Sequence, residues 1–377
     1  MEPYQRHVLV YRLLACLLRP VLHAKFNLSY EKLQIDGPFL LISNHVTAWD
    51  PFLLGVCTGG KHVYYVSSEH VLRFGLLAKA INWLGEPIPR RKASTGMDTV
   101  KACLRHLHAG HSVCLFAEGE QCWDGRSAPI FPATGKLAKS SGASLVTFRL
   151  EGGYFSLPRW GKHICRGAVH GHPVGCYSPE ELKSLSPKEV NALIERDIYE
   201  DAWERQRAHP VRYRGKHRAE GMERALYACP GCRKIGTLRT DRDRVSCPCG
   251  FERSYTEYGF FAPKEPFKTI ADWDLWQRGL LCSREFEHEG ELLFQDDRLE
   301  LKRIQADHSE SMLAVGTLRQ FEDRLVCGDH SFPLSEISNM AMVQAHLLLF
   351  SCNGIYYQLR SSTGVNLRKY LEIWKET

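Results

Sequence analysis

Apolar runs alternate with amphipathic helical patterns over about the first 205 residues. Four continuous apolar runs lie at 39–43, 62–67, 112–116 and 144–148. Runs of this length without polar alternation are typical of strands that are buried on both faces of a sheet. Helices are expected to begin at Asp50-Pro51 and to cover 98–107. This order predicts an α/β domain with a mixed or parallel sheet.

A capped helix is expected to close this first segment. Ser186-Pro187-Lys188-Glu189 is a capping box with proline at the first helical position. Apolar residues from Val190 to Ala202 return to one helical face, and the helix is expected to stop before Pro210. The basic stretch 209–224 that follows is interpreted as a linker.

Two close pairs of cysteines follow the basic stretch: Cys229 with Cys232, and Cys247 with Cys249. Two thiolate pairs across a hairpin supply the four soft ligands of a structural, tetrahedral Zn²⁺ site, so a zinc ribbon is predicted. The fourteen cysteines are scattered over 377 residues, which favours reduced thiols in the cytosol. A chance pair of free cysteine clusters is the alternative.

Short alternating segments dominate the last part of the chain. Six strands are expected at 299–304, 312–320, 324–327, 337–343, 347–350 and 355–360. A helix is predicted before them, over 270–280, and an amphipathic helix after them, over 365–374. Such an order predicts an all-β barrel capped by a C-terminal helix, and this pattern resembles a pleckstrin-homology-like fold. Three domains are therefore expected, over 1–205, 206–262 and 263–377.

Charge is unevenly distributed along the chain. Residues 1–228 carry 30 Lys and Arg against 21 Asp and Glu, whereas residues 263–377 carry 13 against 18. A basic first segment suits an anionic substrate or an anionic membrane surface. The cysteine-rich region has only a small basic excess and no aromatic ladder, so nucleic acid is an unlikely partner.

The residues with the clearest catalytic pattern are His45 and Asp50. His45 comes just after a predicted buried strand, where sites form in open α/β sheets. Asp50 lies five residues on, and a loop of that length allows its carboxylate to meet the imidazole. The carboxylate would then orient the ring, leaving the other ring nitrogen free to take a proton from a hydroxyl. The alternative is an N-capping Asp50 and an ordinary loop histidine.

Two further segments place polar groups after a turn and at the end of a predicted strand. Gly85 to Arg90 delivers an arginine after a turn, and an arginine fork binds phosphate through two parallel hydrogen bonds. The predicted strand 112–116 ends in Ala117-Glu118-Gly119. A solvated basic surface and an ordinary strand exit are the alternatives.

These blocks together resemble the glycerolipid acyltransferase superfamily, typified by 1-acylglycerol-3-phosphate acyltransferases. Asn44 to Pro51 resembles its N-H-x4-D block, and Gly85 to Arg90 resembles its second block, one residue short. Phe116-Ala117-Glu118-Gly119 resembles the third block, with Ala117 in place of proline, and 144–148 lies where the fourth belongs. The resemblance covers roughly residues 25–205.

The resemblance implies an O-acyltransferase that moves an acyl group from acyl-CoA or acyl-carrier protein to the hydroxyl of a lysophospholipid. His45 would be the general base, oriented by Asp50, and Arg90, Glu118 and Gly119 would bind the acceptor. Gln121 stands where the family commonly has an arginine. The missing contact would then come from Arg126, Lys136 or Arg149.

The first helix has a pattern that is typical of a membrane surface. Gln5, Arg12, Arg19 and His23 fall on one side of it, and most other residues from Val8 to Leu22 are apolar. A cytoplasmic protein held peripherally on the inner face of the cell membrane is therefore expected. Packing of this helix on the protein's own core is the alternative.

A second function class is kept open. An acyltransferase fold without activity could serve as an adaptor that binds lipid or nucleic acid through the zinc ribbon. Gln121 favours this alternative, and the intact pair of His45 and Asp50 favours the enzyme.

Overall fold

The computed structural model describes residues 2–70, 76–91, 96–305, 309–361 and 364–376. They form two compact units. One unit contains the described residues of 1–91, 95–159 and 164–214, and the other contains 160–163 and 215–377.

The first unit is an α/β fold around a seven-stranded sheet. Its strands are β1 (Leu28–Tyr30), β2 (Phe39–Ser43), β3 (Tyr64–Ser68), β4 (Ile88–Arg90), β5 (Val113–Phe116), β6 (Ser144–Glu151) and β7 (Val169–Tyr177). Its helices are α1 (Pro3–Phe26), α2 (Asp50–Cys57), α3 (Leu76–Gly85), α4 (Met97–His108), α5 (Thr134–Ser140), α6 (Gly153–Ser156), α7 (Pro179–Ser184), α8 (Pro187–Ile198) and α9 (Ala202–Ala208).

The sheet is mixed, as predicted. Its order is β1-β7-β6-β2-β5-β3-β4, and β6, β2, β5, β3 and β4 are mutually parallel. Successive residues of β2 pack on opposite sides: Leu40 joins a core with α4, α5 and α8, whereas Leu41 joins a core with α1 and α2. Both faces of the central strands are therefore covered, which explains their continuous apolar sequence.

The closing helix of this unit is broken, which corrects the single helix expected up to Pro210. The capping box of Ser186 and Glu189 is present, but α8 ends at Ile198. Asp201 then caps α9, because its side chain accepts hydrogen bonds from the N–H groups of Trp203 and Glu204. Local capping thus starts a second helix, although the apolar periodicity runs on through Ala202.

The second unit begins with a small antiparallel sheet and a helix. The sheet contains β8 (Arg239–Asp241), β9 (Arg244–Ser246), β10 (Glu252–Tyr255) and β11 (Phe261–Ala262), and the helix is α10 (Ile270–Ser283). The predicted linker 209–224 is packed instead: Tyr213, Ala219 and Met222 are buried.

A larger antiparallel sheet of seven strands follows. Its members are β12 (Leu292–Ile304), β13 (Glu310–Phe321), β14 (Arg324–Cys327), β15 (His330–Pro333), β16 (Ile337–Val343), β17 (Leu347–Cys352) and β18 (Ile355–Ser361), before α11 (Arg368–Lys375). The sequence pattern misses β15 and the polar first half of β12. It also starts the last helix three residues too early.

This sheet cannot be flat. The order β15-β14-β13-β12-β18-β17-β16 places β15 and β16 at opposite edges. Seven flat strands would set those edges about 29 Å apart. Pro333 and Ile337 are separated by only three residues, which span at most about 14 Å. The sheet therefore curls, although closure into a barrel stays a prediction.

Hydrogen bonds within the second unit cross the expected boundary near residue 262. Gln277 of α10 accepts a hydrogen bond from Tyr227 N–H and donates one to the Ala225 carbonyl. Asp274 binds Arg368 of α11 through two bonds of 2.6 and 2.8 Å. Helix α10 thus binds both the segment that precedes the cysteine pairs and the C-terminal helix α11.

Candidate active site and cysteine cluster

The ends of β2 and β5 bring the first and third sequence blocks together. Ser43, the last residue of β2, pairs in parallel register with Phe116, the last residue of β5. His45 and Glu118 each follow two residues later, so both lie at the carboxyl edge of the sheet. This edge is where open α/β sheets place their sites.

His45 and Asp50 form the pair that their spacing predicts. His45 Nδ1 lies 2.8 Å from Asp50 Oδ2. The same oxygen accepts the N–H groups of Val46, at 2.6 Å, and Thr47, at 3.0 Å. Because this oxygen accepts from its other two partners, we assign the Nδ1 proton as the third donor. The Nε2 atom is then left as the basic nitrogen.

The two partners differ in exposure. The Asp50 side chain is completely buried, whereas the His45 side chain keeps 17% of its surface exposed. The imidazole stacks on Phe116, with ring centroids 4.2 Å apart and 19° between the planes. Asp50 and Phe116 together fix the plane of the ring while leaving part of it open to solvent.

Glu118 is buried beneath the His45 loop. Its Oε1 accepts the His45 N–H at 2.8 Å, and its Oε2 accepts the Ala128 N–H at 2.7 Å. Burial raises the pKa of Glu118 to about 8, although both N–H groups favour the carboxylate form and lower it. The role in acceptor binding that the resemblance implies for Glu118 stays a prediction.

Phe131 lies between the other two predicted acceptor-binding residues, Gly119 and Arg90. The Arg90 guanidinium lies over the Phe131 ring, 4.1 Å from its centroid. Gly119 has a φ of +75°, and a Cβ at this position would overlap the same ring. Phe131 has no local sequence signal for this role, because its partners are 12 and 41 residues away.

Arg90 is held at the same edge of the sheet as His45, but not beside it. Strands β5 and β3 separate β2 from β4, which sets the two strands about 14 Å apart. Within the described part of the chain, no carboxylate lies within ion-pair distance of the Arg90 guanidinium. Burial lowers the pKa of this group, but a guanidinium stays charged in proteins.

Arg159 lies beside Gln121, although no sequence pattern indicates this contact. Arg159 Nη1 donates to the Gln121 carbonyl at 2.9 Å and to Glu120 Oε2 at 2.7 Å. Its guanidinium also lies over the Trp123 ring, 4.0 Å from the centroid. Arg159 is far from this segment in sequence, so only the fold brings it here.

The three basic residues suggested as substitutes have different surroundings. Arg126 pairs with Asp201 at 3.0 Å, and Arg149 donates to the Asp197 carbonyl at 2.6 Å. Lys136 lies exposed on α5.

The four predicted metal ligands come together in the second unit. The sulfur atoms of Cys229, Cys232, Cys247 and Cys249 all lie within 4.8 Å of one another. The Cys229–Cys249 and Cys232–Cys247 sulfur distances are 3.6 and 3.8 Å. A regular tetrahedron with metal–sulfur bonds of about 2.3 Å has edges of about 3.8 Å, so the cluster fits a Zn²⁺ ion.

Helix α1 has three distinct faces. It packs on its unit through a face that includes His7, Tyr11 and Leu22. An adjoining face consists of exposed apolar residues: Leu9, Leu13, Leu14, Leu17 and Val21. Arg12 and Arg19 lie on the third face. By length and composition α1 could cross a membrane, a test that signal sequences and core helices also pass.

Comparison with known proteins gives matches to acyltransferases. Residues 25–151 match the family model described as Acyltransferase. The chloroplastic 1-acyl-sn-glycerol-3-phosphate acyltransferase LPAT1 of Arabidopsis thaliana is 25% identical over 158 residues, which are 40% of this chain and 43% of that protein. The chloroplastic enzyme BAT2 of Brassica napus, of the same description, is 26% identical over 118 residues, or 31% and 34%.

A solved structure is also similar. The crystal structure of the 1-acyl-sn-glycerophosphate acyltransferase PlsC from Thermotoga maritima matches with a TM-score of 0.42 and 15% identity. The match covers 52% of this chain and 82% of that one. This chain spans less than half the length of the two plant relatives. The residues that match the family model, 25–151, lie in the unit that carries His45 and Asp50.

Proposed function

We propose that this protein is an O-acyltransferase that moves a fatty acyl group from an acyl thioester to a lysophospholipid. The observation that carries the proposal is the pairing of His45 with a fully buried Asp50 at the carboxyl edge of the sheet. The match of residues 25–151 to the acyltransferase family model supports it. The names of the plant relatives point to 1-acylglycerol 3-phosphate as the acceptor, which would give phosphatidate.

In the proposed reaction His45 is the general base. Its Nε2 takes the proton of the acceptor hydroxyl as the oxygen attacks the thioester carbonyl. The new C–O bond forms, the C–S bond breaks, and the leaving thiolate takes the proton back from the imidazolium. Asp50 stabilises the imidazolium and keeps the ring in place.

Arg90 is the proposed phosphate-binding residue. Its guanidinium has no carboxylate partner in the described part of the chain, and its stacking on Phe131 restricts its position. An arginine held in this way can offer two parallel hydrogen bonds to a phosphate. At Gly119 the backbone itself is proposed to lie close to the acceptor. A side chain at this position would overlap the Phe131 ring.

The test of the reaction is an acyl-transfer assay with 1-acylglycerol 3-phosphate, using palmitoyl-CoA and palmitoyl-acyl-carrier protein as separate donors. We expect phosphatidate from the wild type and at least about 10²-fold less from His45→Ala. Arg90→Ala should raise KM for the acceptor more than it lowers kcat. Full activity of His45→Ala would contradict the mechanism, and a wild type that acylates no lysophospholipid would favour the adaptor.

We also propose that the four cysteines hold a structural Zn²⁺ ion. The tetrahedral sulfur spacing and the absence of His or Asp from the ligand set support a closed site rather than a catalytic one. Metal analysis of the purified protein should find one zinc per chain, and Cys232→Ser with Cys249→Ser should abolish it. Stoichiometric zinc in that double variant would contradict the assignment.

The exposed apolar face of α1 is the proposed contact with the cytoplasmic surface of the membrane. Five apolar side chains lie beside Arg12 and Arg19, as in helices that rest in the interface of an anionic bilayer. A peripheral location on the inner face of the cell membrane is proposed on this basis. The C-terminal sheet and helix are proposed to form a pleckstrin-homology-like domain whose partner is a protein segment, because residues 263–377 are net acidic.

A further inference from the structure

We propose that Glu118 is a positioning residue that fastens the His45 loop, and that it acts on the reaction through His45 rather than by binding the acceptor. The inference rests on the proposed acyl-transfer function. It gives Glu118 a role different from the acceptor contact that sequence resemblance implies.

Both oxygens of Glu118 are occupied by backbone donors. His45 N–H donates to Oε1 at 2.8 Å, and Ala128 N–H donates to Oε2 at 2.7 Å. The residue is 6% exposed. Because the carboxylate is buried and both of its oxygens already accept backbone N–H groups, it offers a lysophospholipid headgroup little accessible surface.

The backbone of His45 is held on both sides by the segment that follows β5. Its N–H is bonded to Glu118, and its carbonyl accepts the Cys122 N–H at 3.0 Å. Its side chain is held separately by Asp50. The position of the imidazole relative to the acceptor therefore depends on both the His45–Asp50 loop and the segment that follows β5. A displacement of about 1 Å in such a group can cost about 10²-fold in rate.

Replacement of Glu118 by glutamine keeps the size of the side chain but removes its charge and one of its two accepting oxygens. An amide has one accepting oxygen and one donating nitrogen, so one of the two backbone N–H groups would face a donor. Glu120→Gln is the matched control. This residue is two positions away in the same segment, and its carboxylate pairs with Arg159.

The experiment uses the full chain labelled with ¹⁵N-histidine. The downfield imidazole N–H resonance of the His45–Asp50 hydrogen bond is assigned by its loss in His45→Ala. The same samples are assayed for kcat and for KM with 1-acylglycerol 3-phosphate and palmitoyl-CoA. We expect Glu118→Gln to shift or broaden the resonance and to lower kcat about 10²-fold, with both KM values within about threefold of wild type. Glu120→Gln should keep the wild-type resonance and kcat.

A different result would overturn the proposal. If Glu118→Gln raises KM for the acceptor tenfold or more with an unchanged resonance, Glu118 binds the acceptor instead. If Glu118→Gln does not fold, Glu118→Asp takes its place, because it keeps the charge but is shorter by one methylene. An unchanged resonance and an unchanged kcat in Glu118→Asp would also overturn the proposal. A wild type without acyl transfer would refute the proposed function, whereas the resonances would still decide whether Glu118 positions His45.

Discussion

Each unit contains a buried aspartate paired with a basic side chain, Asp50 with His45 and Asp274 with Arg368, and these two pairs differ in exposure. Asp50 is fully buried but its partner His45 keeps 17% of its side-chain surface exposed. Asp274 pairs with Arg368, and both side chains are at most 5% exposed. Only the first pair offers an atom to a substrate. The proposed catalytic pair thus differs from the fully buried pair in that one of its partners remains accessible.

The comparison predicts its largest effect for Asp50→Asn. The amide keeps the shape of the side chain but cannot stabilise an imidazolium, so kcat/KM for acyl transfer should fall roughly 10³-fold, or about 4 kcal/mol. The free energy of unfolding of the first unit should change by much less than this loss of about 4 kcal/mol in transition-state stabilisation. Steady-state kinetics and urea unfolding on the same sample measure both quantities. Activity within tenfold of wild type would show that this pair is not catalytic.

For Arg368→Ala the main effect is expected on stability rather than on activity. It leaves Asp274 buried without its bidentate partner, which should cost the second unit about 3 kcal/mol or more. Denaturant unfolding followed by tryptophan fluorescence measures the loss, since Trp273 lies in α10 beside Asp274. The free energy of unfolding should recover in part when Asp274→Asn is added. An unchanged midpoint would mean that the buried pair does not stabilise this unit.

A smaller effect of pH on the first unit is expected from His62, which packs beneath α1. Burial, together with the charges of His7, His111 and His106, lowers the pKa of His62 to about 4. The folded state therefore binds fewer protons than the unfolded state between about pH 6.5 and pH 4. Stability should be complete above this window and should fall by up to about 3 kcal/mol as the pH drops through it.

The matched variant for this pH effect is His62→Phe. His62 Nδ1 is buried and has no hydrogen-bond partner among the described residues, and the ring packs edge-on against Tyr64 and Tyr11. A phenyl ring keeps these contacts without titrating. Urea midpoints at pH 7.5 and pH 5 should differ less in this variant than in the wild type, and equal differences would exclude His62 as the cause.

The smallest expected effect concerns the exposed face of α1. Leu13→Glu with Leu17→Glu places two charges on that face without touching the packed face of His7, Tyr11 and Leu22. Binding to anionic liposomes should weaken roughly tenfold or more, since both apolar burial and attraction to the lipid are lost. Flotation assays measure the change. The control is the double variant Gln5→Glu with Arg12→Gln. If it binds anionic liposomes as tightly as the wild type, the charge of α1 does not contribute to binding.

The pairing of His45 with Asp50 could be predicted from the sequence because it depends on one short loop. The same holds for the cysteine cluster, where two close pairs need only a hairpin to meet. The capping box at Ser186 and the apolar strands of the first sheet were also confirmed, because each depends on local periodicity or capping.

The contacts of Glu118, Gly119 and Arg90 were beyond the reach of sequence patterns. Their partners are Ala128 and Phe131, and neither of the two belongs to a recognisable motif. Their positions follow from the register of β2 with β5 and from the order of the strands, which sequence periodicity does not encode.

The sequence by itself thus determined which chemical groups are present and which of them meet across short loops. Only the tertiary structure decided that both Glu118 oxygens accept backbone N–H groups, and that α10 binds both the segment before the cysteine pairs and helix α11. The physical reason is that local contacts depend on backbone preferences over a few residues. Contacts between distant segments depend on how whole strands and helices pack.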